Sequence, residues 1–198
     1  MKVLVACEYS GVVRDAFLGT GHNAMSCNFL PTDSPGPHYQ GDVFDVVNDG
    51  WDLMIAHPPC TYLCSSGLHW NKRDPGRAKK TEKALEFVRR LMTVPIRKWV
   101  IENPHGRIGT AIRKADQTIQ PWQFGHDASK ATSLWLSNLP LLQPTTVIAP
   151  RMVAGRPRWA NQTDSGQNRL TPSPDRWKLR SVTYIGIAKA MVEQWGKL

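Results

Sequence analysis

The chain has 198 residues, a length that fits one domain or one domain with a small appendage. Hydrophobic residues make up 41%, enough for a packed core and too many for a disordered chain, and no apolar run approaches the length of a membrane span. A formal net charge of +9 points to a polyanionic partner, nucleic acid first, against the plainer alternative of a basic surface that serves only solubility. Eight tryptophans favour nucleic acid, because indoles stack on bases as well as filling cores.

Lys2 to Cys7 predicts a first strand: the run is apolar, and charge interrupts it too early for a signal peptide. Tyr9-Ser10-Gly11 reads as a turn and Val12 to Leu18 as a helix, with Arg14 and Asp15 on its polar side and Gly19-Thr20-Gly21 at its end. Asn23 to Leu30 predicts a second strand, so the chain opens as the first unit of a parallel α/β sheet. Pro31 to Pro37 is a loop, and Gly41 to Val46 a short helical or extended step. Trp51 to Ala56 predicts a third strand that Pro58-Pro59 stops abruptly. Ser65 to Arg77, polar and basic, has the composition of a mobile loop. Lys79 to Leu91 is an amphipathic helix with Ala84, Leu85, Val88 and Leu91 on one face. Trp99-Val100-Ile101 predicts a fourth strand, ended by Glu102-Asn103-Pro104, and Ser133 to Leu136 another. Pro140 to Ser173 is rich in proline, glycine and arginine, and Val182 to Trp195 predicts a C-terminal helix. The expected organisation is an α/β core over 1–139, a basic segment over 140–180 and a helix over 181–198 that returns to the core.

The chemistry-bearing residues fall at strand ends: Glu8 and Ser10, then Pro58-Pro59-Cys60, then Glu102-Asn103. In an open parallel sheet ligands bind beyond the carboxyl ends of the strands, so all three clusters face one crevice. A cysteine in a loop stiffened by two prolines is presented rather than packed, which suits a nucleophile. A nearby glutamate serves as acid or hydrogen-bond partner if burial raises its pKa. The pair suits addition to an electron-poor ring such as cytosine, whose carbon 5 becomes nucleophilic only after something adds to carbon 6. The four cysteines Cys7, Cys27, Cys60 and Cys64 form no secreted disulfide framework and read as reduced thiols in a cytoplasmic protein. A rival reading of Cys60 joins His57, Cys64 and His69 in a zinc site, but there is no paired Cys-x-x-Cys, and the expectation is no metal.

His57-Pro58-Pro59-Cys60 and Ile101-Glu102-Asn103-Pro104 resemble the two catalytic motifs of the cytosine carbon-5 DNA methyltransferases, most closely the short versions found in phages and prophages. Val5 to Gly11 resembles the first cofactor motif, Gly41-Asp42-Val43 the aspartate motif that holds the adenine, Arg169 to Pro172 the penultimate motif and Ser181 to Ala188 the last. The resemblance implies a Rossmann-like fold that binds S-adenosylmethionine through Glu8, Tyr9, Ser10, Gly11, Asn28, Asp42, Val43, Pro58, Thr183 and Gly186. It implies that Cys60, in the loop with Pro59, attacks carbon 6 of a cytosine extruded from the stack, that Glu102 contacts the ring nitrogen and amine, and that Asn103 braces the Cys60 loop. The chain departs from the family at Pro104, where valine is usual, and at Asn28, where an acid meets the ribose; Asp33 is the alternative for that contact. The family's arginine motif has its nearest counterpart in Gln123-Phe124-Gly125 with Lys130-Ala131-Thr132, and no separate target-recognition domain is present, which implies a short or relaxed target.

Nucleic-acid contacts are expected from Lys72, Arg73 and Arg77 after the nucleophile loop, from Lys130, and from Arg151, Arg156, Arg158, Trp159 and Arg169 in the basic segment. RNA or a free cytidine nucleotide as substrate, and an inactive nucleic-acid-binding protein of the same fold, remain open alternatives.

Overall fold

The computed structural model describes all 198 residues. Seven strands form one sheet: β1 (Lys2–Ala6), β2 (Asn23–Asn28), β3 (His38–Gln40), β4 (Leu53–Ala56), β5 (Lys98–Pro104), β6 (Gln117–Ile119) and β7 (Thr132–Ser137). Their order is β3-β2-β1-β4-β5-β7-β6; the first five are mutually parallel, and β7 runs antiparallel to both β5 and β6. The fold is therefore α/β with a mostly parallel sheet. From β1 the chain builds outward through β2 to β3, then crosses to β4 and β5 on the other side. The strand order thus reverses between β1 and β4, where open parallel sheets form a crevice at their carboxyl ends.

Burial on both faces explains why these strands read as unbroken apolar runs. In β1, Val3 and Val5 enter one core while Leu4 and Ala6 enter the other. The first core is covered by α1 (Val12–Leu18) and α5 (Ile185–Trp195), the second by α2 (Pro75–Leu91) and α3 (Arg107–Ala111). Leu85, Val88 and Leu91 of α2 are fully buried, each worth about 1.5–3 kcal/mol of hydrophobic transfer.

Several expected elements differ. The helix expected over Lys79 to Leu91 starts at Pro75, because Asp74 caps it by accepting from Arg77 N at 3.1 Å and proline suits the first helical turn. Ser65–Lys72, expected as a mobile loop, is a 3-10 helix. The C-terminal helix expected from Val182 begins at Ile185 as α5, and a separate short helix, α4 (Arg176–Ser181), precedes it. Pro104 continues β5 rather than ending it: β4 pairs only as far as Ile101, so the missing N–H interrupts no ladder on that side. Two arginine-rich strands, β8 (Arg151–Val153) and β9 (Arg156–Arg158), form a hairpin within the basic segment. Near the start of the segment Leu142 is a core residue, and its backbone exchanges hydrogen bonds with the Gln117 side chain. No helix is long and apolar enough to cross a membrane.

Arg14, expected on the solvent side of its helix, is fully buried. Its guanidinium donates to Asp15, Ser26 Oγ, Thr32 Oγ1 and the Ser34 carbonyl at 2.8–3.2 Å, which folds the 31–37 loop onto the end of β2. The forked donor set satisfies a loop that proline leaves poor in its own N–H groups.

Candidate active site

After β4, His57 N donates to the Ala6 carbonyl, Pro58 is buried and Pro59 is exposed. The Cys60 carbonyl accepts from the N–H groups of both Leu63 and Cys64 at 2.9 Å, so the chain turns immediately and leaves Cys60 half-buried. At the matching end of β5, Asn103 is 2% exposed, and its Nδ2 donates to the Pro58 carbonyl at 2.7 Å. The chains beyond these points are stitched together: Arg107 N donates to the Leu63 carbonyl and Ser65 N to the His105 carbonyl. Gly106 is required at this crossing, because a Cβ there would run into the Leu63 carbonyl. Arg77 completes the frame by donating to the carbonyls of Thr61 and Gly67. The Cys60 loop is thereby fixed against the strand that carries Glu102.

Glu102 does not stand alone. Its Oε2 lies 2.8 Å from His57 Nδ1, and both side chains are largely buried. A narrow cleft over Glu102 is lined by Lys130, Thr132, Thr183, Tyr184 and Ile187. Burial by itself would raise the Glu102 pKa, but the His57 hydrogen bond and charge, with help from Lys130 and Thr132, hold it below the usual carboxylate range. The expectation that burial raises this pKa is thus corrected. Burial would likewise lower His57, yet Glu102, with Glu8 adding to it, raises it above the ordinary imidazole value against the opposing charge of Lys130. Each member of the pair thus favours the charged form of the other. Burial, then Cys64 and Glu102, push the Cys60 thiol up, while Lys130 acts in the opposite direction. His57 Nε2 and Asn103 Oδ1 are buried without a protein partner.

The residues expected at a cofactor lie along the carboxyl edge of β1, β2, β3 and β4, and several have a structural duty there. The Glu8 carboxylate caps α1, accepting from Val13 N at 2.8 Å, Arg14 N at 3.2 Å and Ser10 Oγ at 3.2 Å. Gly11 adopts φ +77° at that helix start, a left-handed conformation that side chains disfavour. Tyr9 is buried beneath α4, with its hydroxyl 2.6 Å from Ser181 Oγ. Asn28 Oδ1 accepts from Leu30 N, and Asp33 pairs with Lys178 at 2.7 Å. Asp42 caps the 3-10 turn Val43–Asp45 through Phe44 N, whereas Val43 packs into the core. Thr183 lines the cleft, and Gly186 N donates to His126 Nε2. Burial and the Asp42 and Asp45 carboxylates push the Cys27 thiol up to about 12, so it is an inert neutral thiol. No three of the His, Cys, Asp and Glu side chains converge as a metal ion requires, and His57 Nδ1 is engaged by Glu102.

The basic residues divide into two kinds. Arg151, Arg158 and Arg169 fold back on their own segment at the surface and donate to the carbonyls of Gln162 and Asp164, and Arg151 also pairs with Asp164. Trp159 stacks on Trp122 at 5.6 Å, so its ring packs within the protein rather than standing free for a base. Arg156 is exposed near the hairpin turn, and Arg73 lies over the Trp70 ring. The segment is tied to the cleft, because Asn161 exchanges two hydrogen bonds with the backbone of Ser129, next to Lys130. Lys130 itself sits over Glu102 in the cleft rather than on an outer face. Lys72, Lys79, Lys83 and Arg107 line an open groove of about 730 Å³ in which Glu82 is the one acid.

Three features went unread in the sequence: the His57–Glu102 pair, the part of the basic groove that Lys83 and Arg107 supply, and Phe29, which is 69% exposed at the edge of β2. Position signalled two of them, since His57 directly precedes the paired prolines and Phe29 directly follows a strand end. No known protein family matches this chain, and no curated protein is similar to it.

Proposed function

We propose that the protein is a methyltransferase that transfers a methyl group from S-adenosylmethionine to carbon 5 of cytosine in DNA, with Cys60 as nucleophile. The observation that carries this reading is the bracing of the Cys60 loop against the Glu102 strand by the Asn103 to Pro58 hydrogen bond at 2.7 Å. It places a thiol and a carboxylate together beside the crevice between β1 and β4.

The strand-end residues fit the cofactor. An adenine asks for a flat apolar contact and an acceptor for its amine, and the exposed Phe29 ring and the Asp42 carboxylate meet those needs on adjacent strand ends. When bound, S-adenosylmethionine supplies the methyl group; the protein's own residues do the rest. Cys60 sulfur adds to carbon 6 of a cytosine removed from the stack, Glu102 holds the ring nitrogen and exocyclic amine, and Asn103 keeps the loop in reach. Lys130 partly offsets the burial and neighbouring charges that otherwise favour the neutral Cys60 thiol. The groove of Lys72, Lys79, Lys83 and Arg107 takes the phosphates flanking the extruded base.

The test is nucleoside mass spectrometry on unmethylated DNA incubated with protein and S-adenosylmethionine, with Cys60→Ser as control. 5-Methylcytosine is expected with the wild type alone. Product on RNA or cytidine nucleotides but not on DNA would reassign the substrate, and no product on any of the three, with binding intact, would refute the reading.

A further inference from the structure

We propose that His57 is the proton source behind Glu102: a positioning residue whose Nδ1–H, 2.8 Å from the carboxylate, is relayed through Glu102 to the cytosine ring nitrogen when Cys60 adds. The inference rests on the cytosine reading and extends it to a residue to which neither the motifs nor the resemblance gives a role in the reaction.

The argument begins with donors and acceptors. An ionised carboxylate has only acceptor sites, and the ring nitrogen of neutral cytosine is also an acceptor. Glu102 facing that nitrogen as a carboxylate sets lone pair against lone pair, so a proton must lie between them. The pair's electrostatics keep Glu102 ionised at rest, so the carboxylate does not hold that proton itself. The nearest proton is on His57, whose ring is hydrogen-bonded to the oxygen that needs it. The groups that act on His57 are Glu102 at the end of β5, Glu8 after β1 and Lys130 ahead of β7; the two acids hold the proton and the lysine loosens it. Nε2, buried without a protein partner, adds no second anchor for the imidazolium. A proton held from one side, across one short hydrogen bond, is placed for transfer.

The step balances. The sulfur–carbon 6 bond forms as the carbon 5–carbon 6 double-bond electrons shift toward the ring nitrogen. Glu102 takes the His57 Nδ1 proton and passes it to the ring nitrogen, which returns Glu102 to its carboxylate form and leaves His57 neutral. The Cys60 S–H bond breaks, and its proton restores the charge of the His57–Glu102 pair. No outside acid, oxidant or reductant enters.

His57→Asn separates proton supply from positioning, because the asparagine amide still donates to Glu102 but carries no transferable proton near neutral pH. His57→Ala removes both. Single-turnover methyl transfer is expected to fall about 100-fold or more in His57→Asn, with DNA affinity unchanged. The wild-type decline in rate as pH rises through the His57 pKa is expected to disappear. A wild-type rate and pH profile in His57→Asn would reduce His57 to a structural contact and overturn the proposal. NMR titration of the His57 ring in wild type and Glu102→Gln reports on the pair without any turnover. The His57 pKa is expected to drop in Glu102→Gln, and an unchanged value would overturn the proposal at its root. An inactive wild type with that drop intact would instead refute the cytosine reading, and with it the proton's destination, while leaving the pair established.

Discussion

Asn103→Ala tests whether the two strand ends are held together by one side chain. Asn103 is 2% exposed and makes one hydrogen bond, from Nδ2 to the Pro58 carbonyl at 2.7 Å. Truncation leaves that carbonyl buried and unpaired, which costs about 1–3 kcal/mol. Removing the unpartnered Oδ1 returns part of this, so the expected net loss is about 1–2 kcal/mol. For a domain of this size that lowers the melting temperature by about 2–8 °C. The effect on rate should be larger, because Pro58 fixes the loop that carries Cys60 and a displacement of about 1 Å at a nucleophile costs about 100-fold. Asn103→Asp sharpens the test: it keeps the shape but replaces the donor with a charged acceptor facing a carbonyl. It should be less stable than Asn103→Ala despite the smaller change in volume. Thermal unfolding and single-turnover methyl transfer on the three proteins decide the matter. An Asn103→Asp protein as stable as wild type, or an Asn103→Ala protein with full activity, would refute the bracing argument.

Two further predictions concern charge. Lys79→Glu with Lys83→Glu, one helical turn apart on the groove wall, should lower duplex affinity about tenfold and reduce the slope of log affinity against log salt by about two; an unchanged slope in anisotropy titrations would remove the groove from the interface. The His57–Glu102 pair should give stability a plateau in pH. Glu102 is held below its ordinary 4.5, so its contribution is present above that value and is lost as pH falls through the depressed folded pKa. His57 is raised above its ordinary 6.5, so its contribution is full below that value and is lost as pH rises through the raised folded pKa. Urea unfolding across this range should show both limbs, and His57→Asn should lack the upper one.

The parallel strands were legible because burial on both faces leaves an uninterrupted apolar run, as in Leu53–Ala56. The Cys60 and Glu102 positions followed from the same signal, since both lie just beyond or at such runs. What local pattern did not carry was the partner of each polar group. Arg14 looks like an exposed helix residue until the few N–H donors that proline leaves in 31–37 are set against it, because its acceptors there and on β2 lie 12 to 21 positions away. His57 and Glu102 are 45 positions apart, joined only by the pairing of β4 with β5. The 75–78 turn of α2 was missed although Asp74-Pro75 is a helix-start signal, because a glycine and basic residues around it suggested a loop. The hairpin β8–β9 turns at Ala154-Gly155, both at positive φ, without the asparagine or aspartate that usually marks such a turn.

The arginines that fold back on the hairpin and the loop after it have a wider consequence. Arg151, Arg158 and Arg169 act as surface ties, their guanidinium groups reaching backbone carbonyls whose identity does not depend on the side chains around them. Met152, 63% exposed, and Arg156 make no such contact. The hairpin tip can therefore be rewritten as an interchangeable cassette while the backbone contacts beneath it, anchored through Asn161 beside the cleft over Glu102, keep their form.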